Sequence, residues 1–144
     1  NFDLENSHLI PAIIRKIYIA KERNKDVVLW GNGKPLREFT YSKDLAKIVI
    51  LLLNEYNDRE PINVGNTKEH SVKEVAEMIA NIMNFEGNIT WDISQPKGQH
   101  RKPSDNSKLL ETKWDSKDYT PFEEALKNTC EWFLKNYPNV RGVK

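Results

Sequence analysis

The sequence holds a single cysteine, Cys130, which excludes an internal disulfide and any multi-cysteine zinc site. No metal site is expected, and the low thiol count points to a reducing, cytoplasmic setting. Neither charge is in excess: 22 Lys and Arg stand against 21 Asp and Glu, a net charge of +1. A balance that close gives no field to hold nucleic acid or an anionic membrane, so any bound anion must meet a local cluster. Long apolar runs are absent too. The longest, Ile48 to Leu53, falls far short of the roughly 20 residues of a membrane-spanning helix. The chain opens on Asn1-Phe2-Asp3, with no Met, basic segment or apolar segment, which does not read as a signal peptide. A sequence opening this way is expected to be a piece of something longer. Neither G-x-G-x-x-G nor a P-loop occurs, so no dinucleotide fingerprint is visible. No tyrosine is followed four positions on by lysine: Tyr18, Tyr41, Tyr56, Tyr119 and Tyr137 meet Glu22, Leu45, Glu60, Glu123 and Arg141.

What is present suffices for one packed domain: 144 residues, 38% of them hydrophobic. Helical and strand spacings alternate, which indicates an α/β chain with more helix than strand. Ile13, Ile14, Ile17 and Ala20 form a stripe in a helix predicted from Pro11 to Glu22. Val27 to Trp30 reads as a strand stopped by Gly31-Asn32-Gly33, and Leu36 to Tyr41 as a second run. The two either pair as a hairpin or the loop simply reverses direction. Ser42 is expected to cap a helix to Glu55 that is apolar nearly all round and so buried on more than one side. Pro61 to Gly65 reads as a brief buried strand. Ser71 with Glu74 forms a capping box for a helix from Val72 to Met83, followed by a strand at Ile89 to Asp92. Ser94 to Ser107 is an aperiodic loop with a positive face, and Thr120-Pro121 starts a last helix whose stripe includes Leu126 and Phe133.

Three places could carry chemistry. His8 lies just ahead of the first helix, where free N–H groups and the helix dipole favour a neutral ring or a bound anion; a packing or capping histidine is the alternative. Trp30-Gly31-x-Gly33-x-Pro35-x-Arg37-Glu38-Phe39 joins an aromatic plate to a guanidinium through a tight turn. There Trp30 is either core or a stacking surface, and Arg37 either holds an anion or pairs with Glu38 or Asp44. Gln99-His100-Arg101-Lys102 adds cations that could equally be a solvated loop. Asp44 reads as a helix N-terminal charge, and His70 has no visible partner.

Taken together, Ser7-His8-Leu9-Ile10-Pro11-Ala12, the Trp30 to Phe39 run with Asp44, Ile62-Asn63-Val64-Gly65, Arg101-Lys102 and the terminal Trp132-Phe133-Leu134 resemble the GDP-L-fucose synthase family of the extended short-chain dehydrogenase/reductase group. The resemblance covers essentially the whole chain. Most of these motifs mark nucleotide-sugar epimerases and dehydratases at large; the Ser-His-Leu-Ile-Pro segment marks the fucose synthase branch. It implies that residues 1–144 are a C-terminal substrate-binding domain, mostly helices with a few short strands and lacking the main Rossmann domain, with sheet-edge elements near 36–65 that would complete that missing domain. It implies NADP held mainly elsewhere, a GDP-sugar substrate, a homodimeric full-length 3,5-epimerase-4-reductase, and little activity from this part alone. His8 would be the epimerisation acid/base, paired with a cysteine from the missing half, and would also touch the cofactor. Lys16, Trp30, Arg37 and Lys102 would surround the GDP moiety. Two departures stand out: Lys16 replaces the family's usual arginine, and Pro96-Lys97-Gly98 replaces Pro-Asp-Gly, reversing a charge. Competing readings are the same fold acting on another nucleotide sugar, or a non-catalytic binding or assembly module.

Overall fold

The apolar stripe of the first predicted helix folds as α1, Leu9–Glu22, with Ile13, Ile14, Ile17 and Ala20 buried. It begins two residues earlier than the sequence indicates. Pro11 still falls in the first turn, where the N–H it lacks has no intrahelical acceptor, and the ladder opens with Ala12 N donating to His8 O. This computed structural model describes residues 1–95 and 98–143, so Pro96 and Lys97, and with them the charge reversal noted above, lie outside the described residues.

The chain continues through β1 (Val27–Trp30), β2 (Leu36–Glu38), α2 (Ser42–Glu55), β3 (Glu69–Ser71), α3 (Val72–Ile82), β4 (Ile89–Asp92), α4 (Ser107–Leu110) and α5 (Phe122–Asn136). No hairpin forms between β1 and β2. β1 pairs in parallel with β4, Val27 opposite Ile89 and Trp30 opposite Asp92, whereas β2 pairs antiparallel with β3. The turn at Gly31 and Gly33 is responsible, because both adopt positive φ (83° and 72°) and lead the chain out of the first sheet. Gly33 has no room for a side chain: an added Cβ would lie 2.8 Å from the Trp91 ring. The α1–β1 and α3–β4 units are built alike. Each helix gives way to its strand through an asparagine at φ 50°, Asn24 and Asn84, the residue type that best tolerates the left-handed region after glycine.

The main core lies where α1, α3 and α5 pack around the inner face of β1, with Ile14, Ile17, Val75, Ile79 and Phe133 fully enclosed. The capping box is present in full: Glu74 N donates to Ser71 Oγ (3.1 Å) and Ser71 N to Glu74 Oε2 (2.7 Å). Cys130 lies in this core, where burial pushes its thiol up to about 12. The thiolate is the reactive form of cysteine, so Cys130 is expected to resist alkylation by iodoacetamide at neutral pH and to react only when the protein is unfolded in guanidinium. Rapid labelling of the folded chain would contradict this.

Three expectations need correction. Ser42 is the first helical residue rather than the cap; Tyr41 occupies that position and gives no side-chain cap bond. Residues 61–65 form no strand, since a strand needs a neighbouring one and none among the described residues lies alongside. The segment is instead stitched by Asn63 Nδ2 to Asp105 O and by Tyr119 OH to Gly65 O, and Ile62 and Val64 pack on a second cluster of Ile48, Leu109 and Trp114. Finally, α2 is buried on one side only. Ile48 faces that cluster, whereas Leu45, Val49, Ile50 and Leu53 (81% exposed) form an open face, because no described element packs there.

Candidate functional site

A cavity of about 840 Å³ opens beside the carboxyl end of β1 and the amino end of α1. Open α/β sheets bind ligands outside the carboxyl ends of their strands. His8, Lys16, Trp30 and Arg37 all line it, although they come from two helical turns, a strand end and a second sheet. Lys102 is exposed and does not line the cavity, so the structure does not bring it to the other four.

His8 takes the N-cap position of α1 in extended backbone geometry (φ −72°, ψ 168°), and its ring makes no capping bond. The first turn of α1 carries no acidic side chain, so its positive dipole end borders the hollow without a carboxylate of its own, although Glu5 and Glu38 also line the cavity. The capping alternative for His8 is therefore excluded. Trp30 is on the outward face of β1 and half exposed, which removes the core reading and leaves an open indole. Lys16 Nζ lies 4.8 Å from that ring's centroid, within cation–π range. Burial holds its pKa below the ordinary lysine value, because desolvation disfavours the charged form.

Arg37 is the central residue of β2, opposite His70. Its Nη1 donates to Leu36 O at 2.6 Å, and among the described residues it forms no salt bridge. The carboxylates considered as its partners are engaged elsewhere. Glu38 accepts from Ser104, and Asp44, 1% exposed, accepts from Thr120 N (2.8 Å) and Thr120 Oγ1 (2.9 Å). Asp44 is thus more than a terminal charge: it ties the start of α2 to the segment leading into α5. Its place in the first turn of a helix was the available signal, but its partner 76 residues on was not. His70 gains a partner as well, stacking on Phe122 at 4.1 Å between centroids. Burial, the largest influence, holds its pKa below the usual histidine value. Arg101 is no free loop cation, since it pairs with Glu69. Among the described residues, no three His, Cys, Asp or Glu side chains gather as a metal site, and no helix is long and apolar enough to cross a membrane.

An imidazole, an indole and two cations thus border one hollow at a strand's carboxyl end, and the α/β fold around them is similar to the C-terminal portion of extended short-chain dehydrogenases/reductases. The model of the NAD dependent epimerase/dehydratase family matches residues 1–65. The chain is homologous to GDP-L-fucose synthases along nearly its whole length and corresponds to the C-terminal part of that fold. It is 44% identical over 137 residues, 94% of its length, to "Probable GDP-L-fucose synthase 1" of Oryza sativa subsp. japonica, and 40% identical over 98% of its length to GDP-L-fucose synthase of Dictyostelium discoideum. It superposes with a TM-score of 0.92 and 39% identity on a crystal structure of a GDP-L-fucose synthetase from Naegleria fowleri bound to NADP, covering 98% of this chain and 44% of that one. The chain spans 41% and 44% of the length of the two curated relatives.

Proposed function

We propose that this chain is the substrate-binding domain of an NADP-dependent GDP-L-fucose synthase, an enzyme that epimerises GDP-4-keto-6-deoxy-D-mannose at C3 and C5 and reduces it at C4. The observation that carries the reading is the meeting of His8, Lys16, Trp30 and Arg37 around one cavity. The 4-keto group acidifies the protons on the adjacent carbons, so removing a proton from one face and returning it on the other inverts the centre through an enolate. Two groups on opposite faces are required. His8 supplies one of them, imidazole being able to hold and donate a proton near neutral pH. Cys130, enclosed in the core, is not the other; that group comes from the remainder of the protein.

Arg37 presents a planar fork suited to two phosphate oxygens, Lys16 adds a point charge, and Trp30 offers a face for stacking. Lys102, outside the cavity, is left out of this contact set. Of the cofactor, the described residues fit only the reacting end: His8 and the uncapped start of α1 border the hollow, and the sequence has no glycine-rich turn for the pyrophosphate. NADPH, held mainly by the remainder of the protein, supplies the reducing equivalent for the C4 carbonyl. Residues 1–144 are read as one substrate-binding domain, with sheet-edge elements near 36–65 that would complete the cofactor domain. The 61–65 segment, which pairs with no described strand, and the open face of α2 support this. The full-length enzyme is read as a cytoplasmic homodimer.

Calorimetric titration of the protein with GDP and with UDP tests the nucleotide assignment. GDP should bind at least about 10-fold more tightly, the discrimination expected of one set of base-specific polar contacts. Equal affinities would favour another nucleotide sugar, and no binding of either would reject the reading.

A further inference from the structure

Glu38 and Glu69 stand directly opposite each other in the β2–β3 ladder. Like charges in that position destabilise a strand pair, yet Glu69 is only 14% exposed in its side chain. Both carboxylates are met by one short segment. Arg101 Nε donates to Glu69 Oε2 at 2.7 Å, and Arg101 Nη2 reaches the same oxygen. Ser104 gives Glu38 two bonds, from its N (3.0 Å) and its Oγ (2.5 Å). The guanidinium of Arg101 is stabilised in its charged form chiefly by Glu69 and further by Glu38, so one cation serves the pair. A third tie lies between them, Leu36 N donating to His100 O at 2.8 Å.

These ties bracket Arg37. Its neighbours on either side, Leu36 and Glu38, are the β2 residues that hold the segment, and its cross-strand neighbour is next to Glu69. The segment in turn lays Gly98 against the guanidinium: a Cβ added there would lie 3.2 Å from Arg37 Nη2, closer than most side chains tolerate. Gly98 thus lies beside the guanidinium, whose Nη1 donates to Leu36 O.

We propose that Arg101 and Ser104, latched to Glu69 and Glu38, are positioning residues that hold Arg37 in place for a nucleoside diphosphate. This rests on the function proposed above. Arg101 touches no substrate in this scheme; it acts through Arg37 by keeping the 98–104 segment seated. A long side chain that is already restrained loses less freedom when it grips a phosphate, which is how an ion pair outside the cavity can govern affinity inside it.

The test is a double-mutant cycle on GDP binding, measured by calorimetry. Arg101→Gln and Glu69→Gln should each weaken GDP about 3- to 10-fold, the range of one charge-assisted bond removed at a half-exposed site. The double substitution should be no worse than either alone, because both break the same pair. In an Arg37→Ala background, Arg101→Gln should have no further effect, an outcome that general loosening of the fold would not produce. Ser104→Ala, which removes only a hydroxyl, gives the same comparison if Arg101→Gln proves poorly folded by circular dichroism, with an expected loss of about 3-fold. Unaltered GDP affinity in Arg101→Gln, or an equal loss with and without Arg37, would overturn the latch alone. Failure of the unaltered protein to bind GDP would overturn the proposed function and the latch with it.

Discussion

Replacing His8 by asparagine, in a polypeptide that also supplies the NADP-binding portion, should slow exchange of the sugar's C3 and C5 protons with deuterated solvent by about 100-fold or more. Reduction of a keto sugar already epimerised should remain within a few-fold of normal. The split follows from where the imidazole stands. It is at the exposed start of α1, bound to no other side chain among the described residues, and borders the cavity. Asparagine keeps a polar group of similar reach there but cannot carry a proton between pH 5 and 8. Because His8 is also proposed to border the reacting end of the cofactor, both rates should be read at saturating NADPH. Equal losses in the two steps would remove His8 from the acid/base role.

Arg37→Ala should raise the KM for the GDP-sugar by about 10- to 100-fold with kcat largely preserved. That corresponds to the ~1.5–3 kcal/mol expected of a hydrogen bond to a charged group. The basis is that no carboxylate among the described residues neutralises Arg37: Glu38 is committed to Ser104 and Asp44 to Thr120. Lys16→Ala should cost less. Its ammonium lacks a fork, and part of its interaction is already spent on Trp30, 4.8 Å away. If Arg37→Ala lowered kcat and left KM alone, ground-state binding of the diphosphate by this residue would be ruled out.

The two corrections at α2 and at residues 61–65 share a cause that bears on this chemistry. Both segments carry the apolar pattern of buried elements, and both lack a neighbour on one side. Periodicity records what a segment was selected to bury, not what lies against it. The undecided hairpin is a related case. Two strand-like runs either side of a glycine turn are compatible with pairing or with divergence; the positive-φ turn leads the chain out of the first sheet, and Gly31 N donates to Asp92 O, extending the parallel register with β4. In the sequence, Asp44 reads as a helix charge and Arg101 as a loop cation because their partners lie 76 and 32 residues away.

Local interactions were therefore legible in the amino-acid order alone. The α1 stripe, the Ser71–Glu74 box and the β1 and β4 segments all depend on neighbours within a turn or a strand, whereas His8, Lys16, Trp30 and Arg37 are joined as one candidate set only by the family resemblance. Tertiary structure decided which strands pair, that Lys102 stays outside the cavity while four candidates border it, and that Glu38 and Glu69 fasten a distant segment beside Arg37. Those outcomes depend on contacts between groups far apart along the chain. Many pairings of such groups are equally compatible with the same local pattern, and only packing of the whole core selects among them.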